Sequence, residues 1–103
     1  MNTAPGRVLY LEDSAVDADL GRRALARSAP DTVLEIVATV GAAIERLRAA
    51  APSIDVILAD LQLPDGSGLD LLAHVRTQGL PYAFVVLTSF GDEASALAAL
   101  KAG

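Results

Sequence analysis

The sequence predicts one α/β domain with a doubly wound parallel β-sheet, covered by helices on both faces. Two observations lead to this fold class. Short apolar runs rich in β-branched residues are typical of strands covered on both faces. These runs alternate with segments of helical periodicity, and strict alternation implies parallel strands joined by right-handed crossovers. The 103 residues amount to one small domain, so residues 1–103 are interpreted as a single unit.

The four predicted strands are short apolar runs spread along the whole chain. The second run is interrupted by Glu35, which is typical of an edge strand with one side near water. The strands are expected at residues 8–11, 33–38, 56–59 and 83–87.

The first helix is predicted over residues 15–28. Ser14 and Asp17 have the spacing of a capping box, with an aspartate in place of the usual Glu or Gln. Apolar residues recur every four positions along this segment and are expected to form one buried stripe. That stripe comprises Val16, Leu20 and Ala24.

The second helix is expected to begin near Val40, behind Thr39 as its N-cap. It would bury Val40, Ala43, Ile44 and Leu47.

The third helix is predicted over residues 68–78, with Gly79 as its stop. Its inward residues would be Leu69, Leu72 and Val75. A fourth helix is expected to begin near Asp92.

The composition narrows the classes of function. The net charge is −5 and the eight Lys and Arg residues are scattered, which argues against a nucleic-acid surface. The absence of cysteine excludes disulfides and thiolate metal sites. No apolar run approaches the ~20 residues that a membrane span needs. We therefore expect a cytoplasmic domain that binds neither membranes nor nucleic acid.

Acidic residues directly follow two of the predicted strands. Glu12 and Asp13 come after the first strand, and Asp60 comes after the third. Ligands of doubly wound sheets bind beyond the carboxyl ends of the strands, where these carboxylates would meet if the two strands are neighbours. Two unit charges ~4 Å apart repel by about 4 kcal/mol at an effective dielectric of about 20. Such a cluster must bind a cation or hold a proton, and oxygen ligands with water favour Mg²⁺.

These motifs together resemble the receiver domain of bacterial two-component response regulators. The resemblance rests on "VLYLEDS", "ILADLQLPDGSGLDLL", "FVVLTSF" and "ALAALKAG", in the family's order over nearly the entire chain. It implies a flavodoxin-like sheet with strand order 2-1-3-4. It also implies a phosphoacceptor signalling module rather than an enzyme, with a histidine kinase or phosphotransfer protein as its partner.

The resemblance assigns roles to individual residues of this chain. Asp60 would accept the phosphoryl group. Asp13, Asp60 and the backbone carbonyl of Gln62 would hold Mg²⁺, with Glu12 acting directly or through water. Thr88 would donate a hydrogen bond to the new phosphoryl oxygen, and its shift toward Asp60 would relay the change to the fourth helix and so switch a partner surface.

One departure from the family lies at the end of the sequence. The family continues with a fifth strand, which ends in a phosphoryl-contacting lysine, and a fifth helix. Lys101 does not match that lysine, because it belongs to the predicted fourth helix. We therefore expect a C-terminally incomplete receiver, which is either a fragment or is completed by a partner. For this polypeptide we expect marginal stability, dimerisation or domain swapping.

Other readings of the same residues remain open. A degenerate receiver would act as a scaffold without phosphorylation. A Mg²⁺-dependent phosphohydrolase of the haloacid-dehalogenase type would use Asp60 as its nucleophile, but it needs a second Asp where Gln62 stands. Asp60 could also cap a turn, and Ser14 is expected to be a helix cap rather than a catalyst. His74 is expected to be solvated or packed.

Overall fold

The computed structural model describes residues 6–49, 52–60, 63–79 and 82–87. Strands and helices alternate along these residues, as the apolar pattern predicts. The elements are β1 (Arg7–Leu11), α1 (Ala15–Ser28), β2 (Val33–Val37), α2 (Val40–Arg48), β3 (Val56–Asp60), α3 (Gly68–Thr77) and β4 (Ala83–Leu87). The predicted fourth helix lies outside the described residues.

The four strands form one parallel sheet in the order β2-β1-β3-β4. This order confirms the expected 2-1-3-4 arrangement and makes β1 and β3 neighbours. Leu11, the last residue of β1, is level with Ala59 of β3. Both strands therefore end at the same edge of the sheet, and the residues that follow them emerge side by side.

The central strands bury side chains on both faces, because helices pack on each side of the sheet. Leu9 and Ile57 face α2 and α3, whereas Val8 and Leu58 face α1. All four are fully buried. This two-sided burial explains why the strand runs are apolar at consecutive positions.

The buried face of α1 differs from the predicted stripe. Val16 is 69% exposed and Leu20 is 41% exposed, so the expectation that they are buried is wrong. The face that meets the sheet consists of small residues and one leucine, namely Ala18, Gly21 and Leu25. A Cβ on Gly21 would lie 2.8 Å from a ring carbon of the buried Tyr10. The helix therefore turns its smallest residue toward the sheet so that the ring fits beneath it.

The second helix follows its prediction. Thr39 Oγ1 accepts a hydrogen bond from the Ala42 N–H as the N-cap. Val40 and Ala43 are buried, and Ile44 and Leu47 pack against the core.

The third helix corrects one of its predicted inward residues. Leu69 is 53% exposed, whereas Leu71 and Val75 are fully buried and Leu72 is half-buried. Gly79 has φ = +68°, a left-handed conformation that favours glycine after a helix end. The expected helix stop at Gly79 is therefore confirmed. The face of α3 that is buried differs from the face that the apolar spacing predicts, and the N-terminus of α3 packs closely against β3 at Gly68.

Glu35 lies on the edge strand, as its polar interruption of β2 predicts. Its carboxylate accepts hydrogen bonds from Arg46 of α2 at 2.5 Å (from Nε) and from Arg7 of β1 at 2.7 Å (from Nη1). Both arginines hold its pKa below the ordinary glutamate value, Arg46 the more strongly. This half-buried pairing joins two strands and a helix.

Candidate functional site

Three carboxylates converge at the carboxyl ends of β1 and β3. One oxygen from each of Glu12, Asp13 and Asp60 lies within 4.8 Å of the others. Glu12 and Asp60 are half-buried, and Asp13 is exposed. The structure thus brings together the three acids that the sequence analysis singled out, because β1 and β3 are adjacent and end at the same level.

Glu12 is held between the sheet and the first helix. Its backbone N–H donates to the Val37 carbonyl at 2.9 Å, which continues the pairing of β1 with β2. Its carboxylate accepts from the Ser14 N–H at 3.1 Å. Burial raises the pKa of the Glu12 carboxyl, and the charges of Asp60, Asp17 and Asp13 raise it further against this hydrogen bond. The site therefore concentrates negative charge that a cation would relieve.

Ser14 is the N-cap of α1, as expected. Its Oγ accepts from the Asp17 N–H at 3.2 Å. The Ser14 N–H donates to the Glu12 carboxylate. The second hydrogen bond of the predicted capping box is therefore accepted by Glu12 and not by Asp17. A complete capping box, again with an aspartate in place of the usual Glu or Gln, is found at α3, where the Ser67 N–H donates to Asp70 Oδ2 at 2.9 Å.

The N-terminus of α3 packs directly against the end of β3. A Cβ on Gly68 would lie 2.7 Å from the Asp60 carbonyl oxygen and 3.0 Å from the Ala59 Cβ. Only glycine allows this approach without displacement of the backbone. Gly68 therefore lets the helix begin immediately beside the residue that carries the candidate functional carboxylate.

Asp65 lies in the connection between β3 and α3, which we call the site loop (residues 61–67), and the sequence analysis did not single it out. Its carboxylate accepts from the Val40 and Gly41 N–H groups at 2.8 and 3.0 Å. These bonds, Gly41 first, lower the pKa of Asp65. The first turn of α2 contains no acidic residue of its own, which is the sequence feature that could have indicated an acid supplied from elsewhere.

Gln62 and Thr88, the other two predicted site residues, lie outside the described residues.

His74 lines a groove of about 280 Å³ between α2 and α3, together with Ile44, Leu47, Arg48 and Gln78.

No helix in the described part of the chain is long and apolar enough to cross a membrane.

Known proteins of one family are similar to this chain. Residues 8–103 match the family described as "Response regulator receiver domain". The Acid tolerance regulatory protein ActR of Rhizobium meliloti (strain 1021) is 35% identical over 99 residues, which make up 96% of this chain and 50% of ActR. The chain thus spans about half the length of that curated relative.

Solved structures agree with this sequence similarity. The bacteriophytochrome response regulator RtBRR is 32% identical, with a TM-score of 0.71 over 95% of this chain and 64% of its own. The Mn²⁺-bound form of response regulator Rcp1 is 28% identical, with a TM-score of 0.66 over 93% of this chain and 76% of its own.

Proposed function

Because the chain belongs to the response regulator receiver domain family, we propose that it is a phosphoacceptor module whose Asp60 is phosphorylated by a histidine kinase or a phosphotransfer protein. The observation that carries this proposal is the convergence of Glu12, Asp13 and Asp60 at one edge of the sheet. Receiver domains are signalling modules of two-component systems, and this chain is one of them.

In the proposed reaction, a carboxylate oxygen of Asp60 attacks the phosphorus of a phosphohistidine. The new P–O bond forms as the P–N bond breaks, and the imidazole of the donor leaves with the electron pair. The product is an acyl phosphate on Asp60. Asp60 is half-buried at the end of β3, and the close approach of Gly68 to its backbone carbonyl fixes the position of its backbone.

The residues that would hold Mg²⁺ are Asp13, Asp60 and the backbone carbonyl of Gln62, with Glu12 acting directly or through water. The donor set fits a hard cation, since every ligand atom is an oxygen. When bound, the ion supplies neutralisation of the negative charge on the transferring oxygens. The Mn²⁺ in the structure of Rcp1, a similar protein, supports a divalent cation here.

Thr88 is proposed to donate a hydrogen bond to the phosphoryl oxygen. Its movement toward Asp60 would bias a nearby surface between two states, which is how a local charge change becomes a signal.

Incubation with acetyl phosphate and Mg²⁺, followed by intact-mass analysis, tests the proposal. We expect one phosphoryl adduct on the wild type, with its loss in Asp60→Asn. Asp31→Asn is the matched control, because Asp31 is an exposed aspartate that precedes β2 at the opposite edge of the sheet. Absence of an adduct in the wild type would instead favour a scaffold. Repeated hydrolysis of added phosphate esters would favour a phosphohydrolase.

A further inference from the structure

The Glu12 carboxylate stays at the acidic site although its surroundings favour movement away from it. The backbone of Glu12 is fixed, because its N–H donates to the Val37 carbonyl at 2.9 Å. Its side chain has rotatable bonds, and the carboxylates of Asp13 and Asp60, each with an oxygen within 4.8 Å, repel it. A turn of the side chain toward water would relieve that repulsion. A hydrogen bond from Ser14 opposes this turn.

This hydrogen bond joins the Glu12 carboxylate to the start of α1. The Ser14 N–H donates to Glu12 Oε2 at 3.1 Å, and both residues are half-buried. Hydrogen bonds to an ionised carboxylate are stronger than neutral ones, and the positive end of the helix dipole adds to this one. Ser14 is itself held, because its Oγ accepts from the Asp17 N–H at 3.2 Å and its carbonyl accepts from the Ala18 N–H at 2.8 Å. The first turn of α1 therefore supports the donor.

We propose that Ser14 is a positioning residue whose backbone N–H holds the Glu12 carboxylate beside Asp13 and Asp60 before a divalent cation binds. A supporting donor of this kind raises the affinity for the cation, because less of the ordering of the side chain has to occur on binding. The inference rests on the proposed function, since it needs the cation to bind at these acids. It makes the first turn of α1 part of the site's support, although α1 contributes none of the proposed ligands.

A simpler role for Ser14 would be to cap α1 and nothing more. The two roles use different atoms, because the cap is the side-chain oxygen and the support for Glu12 is the backbone N–H. Ser14→Ala removes the cap and keeps the N–H, whereas Ser14→Pro removes both. Ser14 has φ = −83° and ψ = 119°, which are close to values that proline adopts. Comparison of the two variants therefore isolates the N–H.

The experiment is a titration of the chain with Mn²⁺, in which free Mn²⁺ is followed by its electron paramagnetic resonance signal. We expect Ser14→Pro to raise the Kd for Mn²⁺ about 10-fold, the low end of what supporting groups around a metal contribute. Ser14→Ala should leave the Kd nearly unchanged, because the donor remains. Ser14→lactic acid differs from Ser14→Ala by one N–H replaced with an ester oxygen. It should weaken binding as Ser14→Pro does, without the proline ring.

A double-mutant cycle distinguishes support of Glu12 from general damage to the site. If the Ser14 N–H acts through Glu12, Ser14→Pro should weaken Mn²⁺ binding in the wild type and cause no further loss in Glu12→Ala, which has no carboxylate to hold. A proline that instead displaced Asp13 or unwound α1 would weaken binding by the same factor in both backgrounds.

The outcomes separate this inference from the proposed function. Equal Mn²⁺ affinity in the wild type and in Ser14→Pro would overturn the role of Ser14 while leaving the metal site intact. The same factor of loss in the wild type and in Glu12→Ala would also overturn it. So would a loss in Ser14→Ala as large as that in Ser14→Pro, because the cap alone would then explain the effect. If the wild type binds no Mn²⁺, the proposed metal site itself fails, and the inference fails with it.

Discussion

Glu12 is subject to opposing influences within a few ångströms. The Ser14 N–H stabilises its ionised carboxylate, whereas burial and three neighbouring acids disfavour that charge and raise its pKa. The ionised form of Glu12 is therefore disfavoured in the metal-free protein. The negative charges that repel one another there would attract a divalent cation.

Glu12→Gln should therefore stabilise the metal-free protein. A carboxyl with a raised folded-state pKa destabilises the fold when ionised, and this penalty disappears as the pH falls through that pKa. We expect a higher Tm than the wild type at about pH 7, and a difference that shrinks toward pH 4. Added Mg²⁺ should raise the Tm of the wild type more than that of the variant. Thermal unfolding with and without Mg²⁺ measures both effects, and a lower Tm for the metal-free variant at pH 7 would contradict them.

At the scale of elements, close approach is controlled by glycines rather than by the bulk of the apolar residues. Gly21 lets α1 lie over Tyr10, and Gly68 lets α3 begin beside the Asp60 carbonyl. In each helix the glycine faces the sheet, and the leucine next to it that was expected inside, Leu20 or Leu69, is exposed. The spacing of apolar residues predicts a helix, but it does not fix which face is buried. That face depends on which residues of the helix can pack against the strand beneath it.

Gly68→Ala should destabilise the fold although alanine is the better helix former. The added Cβ would lie 2.7 Å from the Asp60 carbonyl oxygen, so α3 must shift away from β3. We expect a loss of about 1–3 kcal/mol in the free energy of unfolding, measured by urea denaturation.

Gly41→Ala is the matched control for this substitution. Its Cβ would meet Asp65 Oδ2 at 3.4 Å, a nearly ordinary contact, and the free energy of unfolding should change little. An equal loss in both variants would show that the approach of α3 to β3 is not the cause.

At the scale of the whole molecule, the two ends of the strands differ in their charged groups: one edge of the sheet is formed by the carboxyl ends of the strands and the other by their amino ends. The carboxyl edge concentrates acids beside the site loop. Toward the other edge, Glu35 is paired with Arg7 and Arg46, and Asp55 Oδ2 accepts a hydrogen bond from the backbone N–H of Arg7 at 2.9 Å. Among the described residues, the three carboxylates that lie close together are at the carboxyl edge, which is therefore the edge suited to binding a cation.

Glu35→Gln should remove part of the acid sensitivity of the fold. The arginines lower the folded-state pKa of Glu35, so its contribution is complete above the unfolded pKa of about 4.3 and is lost as the pH falls through the lower folded value. At pH 7 we expect a loss of about 1–2 kcal/mol in the free energy of unfolding. The gap to the wild type should narrow in acid, below about pH 4.

Glu45→Gln is the control, since the Glu45–Arg48 pair is exposed on both sides and such pairs contribute little. Urea denaturation at several pH values measures both variants. A constant difference between wild type and Glu35→Gln across pH would contradict the proposed cause.

Local sequence was sufficient to predict the succession of the described elements, β1 to β4, and several of their ends. The strand runs, the caps Ser14 and Thr39, and the stop at Gly79 depend on neighbours in sequence, which is why they could be inferred from spacing and residue type. The acids Glu12, Asp13 and Asp60 could be singled out because a parallel sheet gathers the ends of its strands at one edge.

Three features required the folded molecule: the inward face of α1, the exposure of Leu69, and the attachment of Asp65 to α2. The sequence by itself determined which segments become strands and helices and which acids follow the strands, because these properties arise from local hydrogen bonding and apolar spacing. Only the tertiary structure decided how each helix is rotated and which loop holds which helix. Those outcomes depend on contacts between residues far apart in the chain, whose fit no local pattern encodes.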